Sequence, residues 1–163
     1  MTNFYLGLAR GPIDHQSSSV INVIANEAIE MGSVVVLIAP PTSELLPRVE
    51  EGDASTEIGY GIAVGGDTDG IYSTTGAASG DDSTRATAGA GQGVVVVTQG
   101  RCLARVTNAT AVPLGAPLSC SGTSGVLELA DAADDVIVAR ALQVPTGTTD
   151  IIAVDVQREG LFT

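Results

Sequence analysis

"AIEMGSVVVL", Ala28–Leu37, and "AVPLGAPLSC", Ala111–Cys120, are two versions of one phrase. Each runs Ala, a β-branched residue, any residue, Met or Leu, Gly, a small residue, and then an apolar strand or half-strand. Gly32 and Gly115 stand where the chain turns into that strand, and only Gly takes a positive φ cheaply. The similarity continues downstream. "LLPRVEEGDASTEIGYGIAVGG" follows the first copy and "VLELADAADDVIVARALQVPTG" the second; each gives an apolar strand, an acidic turn, a strand with small residues and then Gly. The pattern reads as a duplication of a Gly-led strand unit, two of which build the halves of one barrel-like sheet. A chance echo in Val-, Gly- and Ala-rich sequence is the competing explanation.

Composition supports a β reading. The chain has 163 residues, 44% of them hydrophobic but only 3% aromatic, with no Trp. Its core must therefore be Val, Ile, Leu and Ala, which suits thin, sheet-rich packing. The 20 glycines, with many Ser and Thr, are turn and strand-surface chemistry and leave few good helix formers. Strands are expected at Val20–Ala25, Ser33–Ala39, in "EIGYGIAVGG", on both sides of a Thr-Gln-Gly turn in "GVVVVTQGRCLARVTNATAV", and in "VLELA", "DVIVARALQV" and "DIIAVDVQ". Asp131–Asp135 has the composition of a single helical turn. The expected fold is all-β: a compact β-barrel or β-tulip-like domain with at most one or two short helices. Residues 1–19 read as an extended, irregular N-terminal arm and 20–163 as a single β domain. A Gly- and Asp-rich surface excursion spans 65–93, too poor in large apolar residues to form core.

The charge is lopsided. Nineteen carboxylates face seven cations, every one of them Arg, for a net charge of −12. That argues against direct binding to nucleic acid or to an anionic membrane. Excess Asp and Glu without Lys is expected of a protein working in concentrated salt, where screening removes self-repulsion; a GC-rich genome that encodes Arg in preference is the simpler source. The start, "MTNFYLGLAR", lacks a basic region followed by an apolar stretch, so no signal peptide is expected. No apolar run approaches a membrane span, and a soluble protein is expected. Cys102 and Cys120 are the only cysteines, expected as buried free thiols; a disulfide between them is the other possibility.

No assembled reactive constellation emerges. His15, the one histidine, lies in the arm without a partner pattern. Ser121 and Ser124 in "SCSGTSG" do not form a nucleophile elbow. "GAGQG" at Gly89–Gly93 precedes a strand, whereas a phosphate-binding glycine run must follow one and open a helix. "DTDG" at Asp67–Gly70, with Asp81 and Asp82, offers oxygens for Ca²⁺ but lacks the spacing of an EF-hand loop. Asn108 is a formal glycosylation acceptor. No cofactor, no metal and no enzymatic activity are expected; the role is structural or binding.

The phrases "NEAIEMGSVVVL", "GYGIAV", "GVVVVTQGRCLARV", "AVPLGAPLSC", "DDVIVARALQV" and "DIIAVDVQ", in that order, resemble the head decoration or capsid cement proteins of tailed viruses, including the lambda-type decoration proteins. The resemblance covers Ala25 to Gln157 and rests on pattern rather than on one diagnostic motif. It implies a β domain that clusters as a homotrimer at three-fold positions on the outer capsid surface, after assembly in the host cytoplasm. There it would bind the major capsid protein and hold the shell against internal pressure. It also implies that the arm, through Thr2, Asn3, Phe4, Tyr5, Leu6 and Arg10, adds a strand to the capsid's sheet. Arg48 is a candidate for a paired contact across an interface. The long acidic excursion and the absence of Lys depart from the family's habit and point to a virus of a halophilic archaeon. A β-rich receptor- or glycan-binding module, from a spike or adhesion protein, is the alternative, and a trimeric β-barrel nucleotide hydrolase a third reading.

Overall fold

The computed structural model describes residues 19–39, 46–66 and 87–161. They form eleven strands: β1 (Ser19–Ala25), β2 (Ile29–Glu30), β3 (Val34–Ile38), β4 (Arg48–Glu51), β5 (Gly59–Gly66), β6 (Thr87–Ala88), β7 (Gly93–Thr107), β8 (Pro117–Cys120), β9 (Leu127–Leu129), β10 (Val136–Ala141) and β11 (Thr149–Leu161). No helix occurs among the described residues. The fold is all-β, as the composition requires. At Asp131–Asp135 the chain makes a turn but no helix. The Asp135 carboxylate accepts the N–H groups of Asp131 and Ala132, at 2.9 and 3.0 Å, in place of helical backbone bonds.

Nine strands form one sheet that closes on itself twice. The first ring is β1–β4–β3–β5–β7, closed by β7 against β1. The second is β7–β11–β10–β8–β9, closed by the single pairing of Val106 with Leu127. A ring of five strands cannot alternate direction all the way round, so one neighbouring pair must be parallel. Here those pairs are β1 with β4 and β7 with β9. The two rings therefore share topology strand for strand: β1, β3, β4, β5 and the first half of β7 correspond to the second half of β7, β8, β9, β10 and β11. The Gly-led phrase does mark a duplicated unit. It builds two barrels with a strand in common, where the sequence reading has two halves of one.

The shared strand also corrects the expected Thr-Gln-Gly turn. β7 runs through it unbroken, pairing with β1 and β5 before Gly100 and with β11 from Gly100 onward. Gly100, at φ 101°, supplies the bend that carries one strand from the first ring into the second.

The Val runs follow from this arrangement. β3 lies between two cores: Val34 and Val36 pack with Ile62, Cys102, Leu118, Val138 and Val154, while Val35 packs with Val23, Val49, Ala63 and Val96. A strand buried on both faces has no polar side to alternate with, hence "VVV" and "VVVV". The small side chains suit narrow five-stranded rings, with Tyr60 packed against the first core from its margin. Of the 65–93 stretch, Gly65 and Gly66 belong to β5, and Thr87–Ala88 pairs with Ile29–Glu30. Residues 67–86 and the arm up to residue 18 lie outside the described residues.

Candidate interaction surfaces

The two Gly turns match bond for bond. Before β3, Ser33 N–H donates to Glu30 C=O (3.1 Å), Gly32 N–H to Ala63 C=O (2.7 Å) and Ala63 N–H to Ser33 C=O (2.9 Å). Before β8, Ala116 N–H donates to Pro113 C=O (3.2 Å), Gly115 N–H to Ala141 C=O (2.8 Å) and Ala141 N–H to Ala116 C=O (3.0 Å). Gly32 and Gly115 have φ of 90° and 80°, the left-handed region that the sequence reading assigns them.

Their surroundings differ. The first turn lies on the outward face of β7: Gly32 C=O accepts Arg105 N–H at 2.8 Å, and a Cβ at Gly32 would sit 3.3 Å from Arg105 Cγ. Met31, the residue before the glycine, is buried at 3% exposure. Among the described residues, no strand lies against the second turn. No atom comes within 4 Å of a Cβ placed at Gly115, and Leu114, in the position of Met31, is 69% exposed. Gly115 C=O accepts the Arg140 guanidinium at 3.2 Å instead of a strand N–H.

A polar seam ties the barrels together around the first turn. Arg105 pairs with Glu30 at 2.8 Å and donates to the Ser33 hydroxyl at 3.4 Å. Glu51 Oε1 accepts Ser33 Oγ–H at 2.8 Å and Glu30 N–H at 2.9 Å; its Oε2 accepts Ser124 Oγ–H, from the second unit, at 3.1 Å. Gly125 N–H donates to Gly52 C=O and Val34 N–H to Gly125 C=O. Both serine hydroxyls are spent on one carboxylate, so this cluster is a tie between units. Among the described residues no group of three His, Cys, Asp or Glu is placed to hold a metal ion.

The other candidate residues make the following contacts within the chain. Arg48 donates to Asn26 Oδ1 at 3.2 Å, within its own chain. Asn108 donates to Pro145 C=O and accepts Val112 N–H, which binds the loop after β7 to the loop after β10. Ser121 Oγ donates to Thr123 C=O and accepts Thr123 N–H in a local turn. Gln92 caps Gly89 N–H in the turn that opens β7. Cys102 and Cys120 are free and buried; burial, reinforced by Asp155 and by Glu57 respectively, pushes each thiol up to about 12. Thr2, Asn3, Phe4, Tyr5, Leu6, Arg10 and His15, and Asp67, Asp69, Asp81 and Asp82, lie outside the described residues.

One carboxylate in β9 and one in the acidic turn that follows it are driven in opposite directions. Burial, then the charges of Asp135 and Asp131, hold Glu128 above the ordinary carboxylate range. Burial also works upward on Asp135, but N–H bonds from Ala132 and Asp131 and the Ser55 hydroxyl outweigh it and leave the group lowered. Asp150 is lowered chiefly by the Thr146 N–H.

Among the described residues, the exposed large apolar side chains are Val20, Leu37, Leu46, Ile58, Leu114 and Val144. No charged residue occurs from Gln16 through Asn26, from Val106 through Leu127, or from Ala141 through Thr149. The seam and the bare second turn escaped the sequence reading, although the repeated Gly that marks both was visible in it.

No family model matches the sequence, and no curated protein does. The fold does have a solved counterpart. The crystal structure of the N base of head fiber gp8.5 in bacteriophage phi29 superposes with a TM-score of 0.54. The match covers 90% of this chain and 99% of that one at 11% identity. The chain has the fold of a phage head-fiber base.

Proposed function

We propose that this chain is a structural module of a virus head, standing on the outer face of the shell as the base of a spike- or fiber-like projection, without enzymatic activity. The observation that carries the reading is the shared fold, which spans 99% of a protein described as the base of a head fiber. In this reading the partner is the major capsid protein and the module acts as a homotrimer, whose multiple weak attachments act together. A receptor- or glycan-binding role, as in a spike, fits the same position on the virion.

A decoration protein of the lambda type, here from a halophilic host, would differ in one measurable respect: it would brace the shell. The test is co-sedimentation with expanded capsid shells stripped of surface proteins, in molar salt, comparing the full chain with one that starts at Val20. Saturable binding is expected. Binding that also raises the temperature at which shells disrupt would select the bracing role; binding without that effect selects the projecting base. Absence of binding would overturn both.

A further inference from the structure

We infer that the bare Gly115 turn is a docking element for a second copy of this chain, and that its seat is the outward face of β1 on that copy. The contact would reproduce, between copies, the junction that already joins the two barrels within one. This deepens the oligomeric part of the reading above and does not depend on capsid attachment.

The precedent lies within the molecule. In the first unit the Gly32 turn sits on the outward face of β7 at Arg105, and Gly32 C=O takes that strand's N–H. The second unit repeats the turn with the same hydrogen bonds and the same sign of φ, yet among the described residues no strand is packed on it. Leu114 stands free where Met31 is buried. The seat is duplicated too. β7 enters the second ring as β1 enters the first, each lying parallel to one neighbour. Asn22 precedes Gly32 by the same interval that separates Arg105 from Gly115. Val23 and Ala25 point into the core of the first barrel, which leaves Val20 and Asn22 on the outward face, both exposed, Val20 at 43%. One copy thus carries a turn without a seat and a seat without a turn.

The duplication names a second copy as occupant, and electrostatics permits it. Two chains of net charge −12 repel wherever their carboxylates face each other. Both surfaces here fall in segments without a carboxylate, with the cationic Arg140 side chain on Gly115 C=O at the turn, and each offers an apolar side chain. The contact joins two different patches, so it closes into a ring, continues head to tail, or is made twice over in a reciprocal two-fold pair.

Sedimentation velocity on the full chain, without capsids, tests this through Leu114→Glu and Val20→Glu. Both side chains are solvent-facing, and circular dichroism and melting will verify that each variant is folded. Wild type is expected to self-associate. Each variant alone is expected to do so about tenfold or more weakly. A mixture of the two is expected to form a one-to-one complex, because each retains the face the other has lost. A wild type that stays monomeric over the accessible concentrations overturns the proposal. So does undiminished association of Val20→Glu alone, which would mean that the turns pair with each other. Since no shell is present, this outcome is separate from failure to bind capsids.

Discussion

The first and second barrels share a strand order and a Gly turn, but only the first turn is covered. Around Gly32 the chain has accumulated an ion pair, two hydroxyl bonds to Glu51 and a strand N–H. Around Gly115 it has an exposed Leu and an arginine side chain. The same local conformation is formed in both places, so the turn does not need its neighbour in order to fold. What lies against it is a matter of recognition, and recognition was added to one copy inside the chain.

The sharpest way to break the equivalence of the barrels is at Gly61. A Cβ there would run into the carbonyl oxygen of Val97 and the side chain of Val96. A backbone atom cannot retreat as a side-chain tip can, so Gly61→Ala should cost about 3 kcal/mol. The matching place in the second barrel holds Ala139, paired with Leu118 as Gly61 is paired with Val35. Urea denaturation reads the loss. The buried thiols of Cys102 and Cys120, both in the core that spans the second barrel, report whether the rings open together. Simultaneous thiol reactivity and loss of β signal is expected; thiols that remain protected after the β1–β4 half has melted would show two independent units.

Next in size is the seam. Glu51→Ala removes both oxygens and leaves the Glu30 N–H and the Ser33 and Ser124 hydroxyls without the acceptor they share. A loss of about 2 kcal/mol is expected, because part-buried donors are left unsatisfied. The thermal midpoint checks it, and an unchanged midpoint would mean that the tie between barrels is carried by backbone bonds alone. The glycines themselves give a paired test. Gly115→Ala should cost about 1 kcal/mol, the strain of a positive φ with a Cβ. Gly32→Ala should cost about 2 kcal/mol, because its Cβ also presses on Arg105. Equal losses would contradict the difference in surroundings on which the docking inference depends.

These residues also show what could be read from the sequence. The Val runs of β3 and β7 were legible because burial on both faces writes itself as uninterrupted apolar residues. "RVEE" at β4 was not: its ladder is made by the backbone, and three of its four side chains are charged. β2 and β6 are two residues each, too short for any period to show. Thr98-Gln99-Gly100 has turn composition, yet it bends a continuous strand, and only the partners on either side distinguish the two cases. The Gly repeat was legible and gave the conformation of both turns. That one is seated and the other bare was not, since Arg105 and Glu30 meet across nearly half of the chain and no local spacing announces them.

The smallest effect concerns β9 and the acidic turn that follows it, where neighbours titrate with opposite sign. Glu128 is raised by burial and by Asp135 and Asp131, so its ionisation weakens the folded state. That penalty is absent at pH below the ordinary Glu range, grows as pH rises through it to the raised value, and is constant above. Glu128→Gln should therefore stabilise the protein at neutral pH, by about 0.5 kcal/mol or less at this partly solvated position, and lose its advantage in acid. Asp135 is lowered by its N–H donors, so its contribution is present above the ordinary Asp range and is lost as pH falls through the lowered value. Asp135→Asn should then destabilise at neutral pH, with the difference from wild type narrowing in acid. Melting curves across pH for the two variants should shift in opposite directions. A common direction would mean that net charge, rather than the hydrogen bonds of the turn, sets how the second barrel responds to acid.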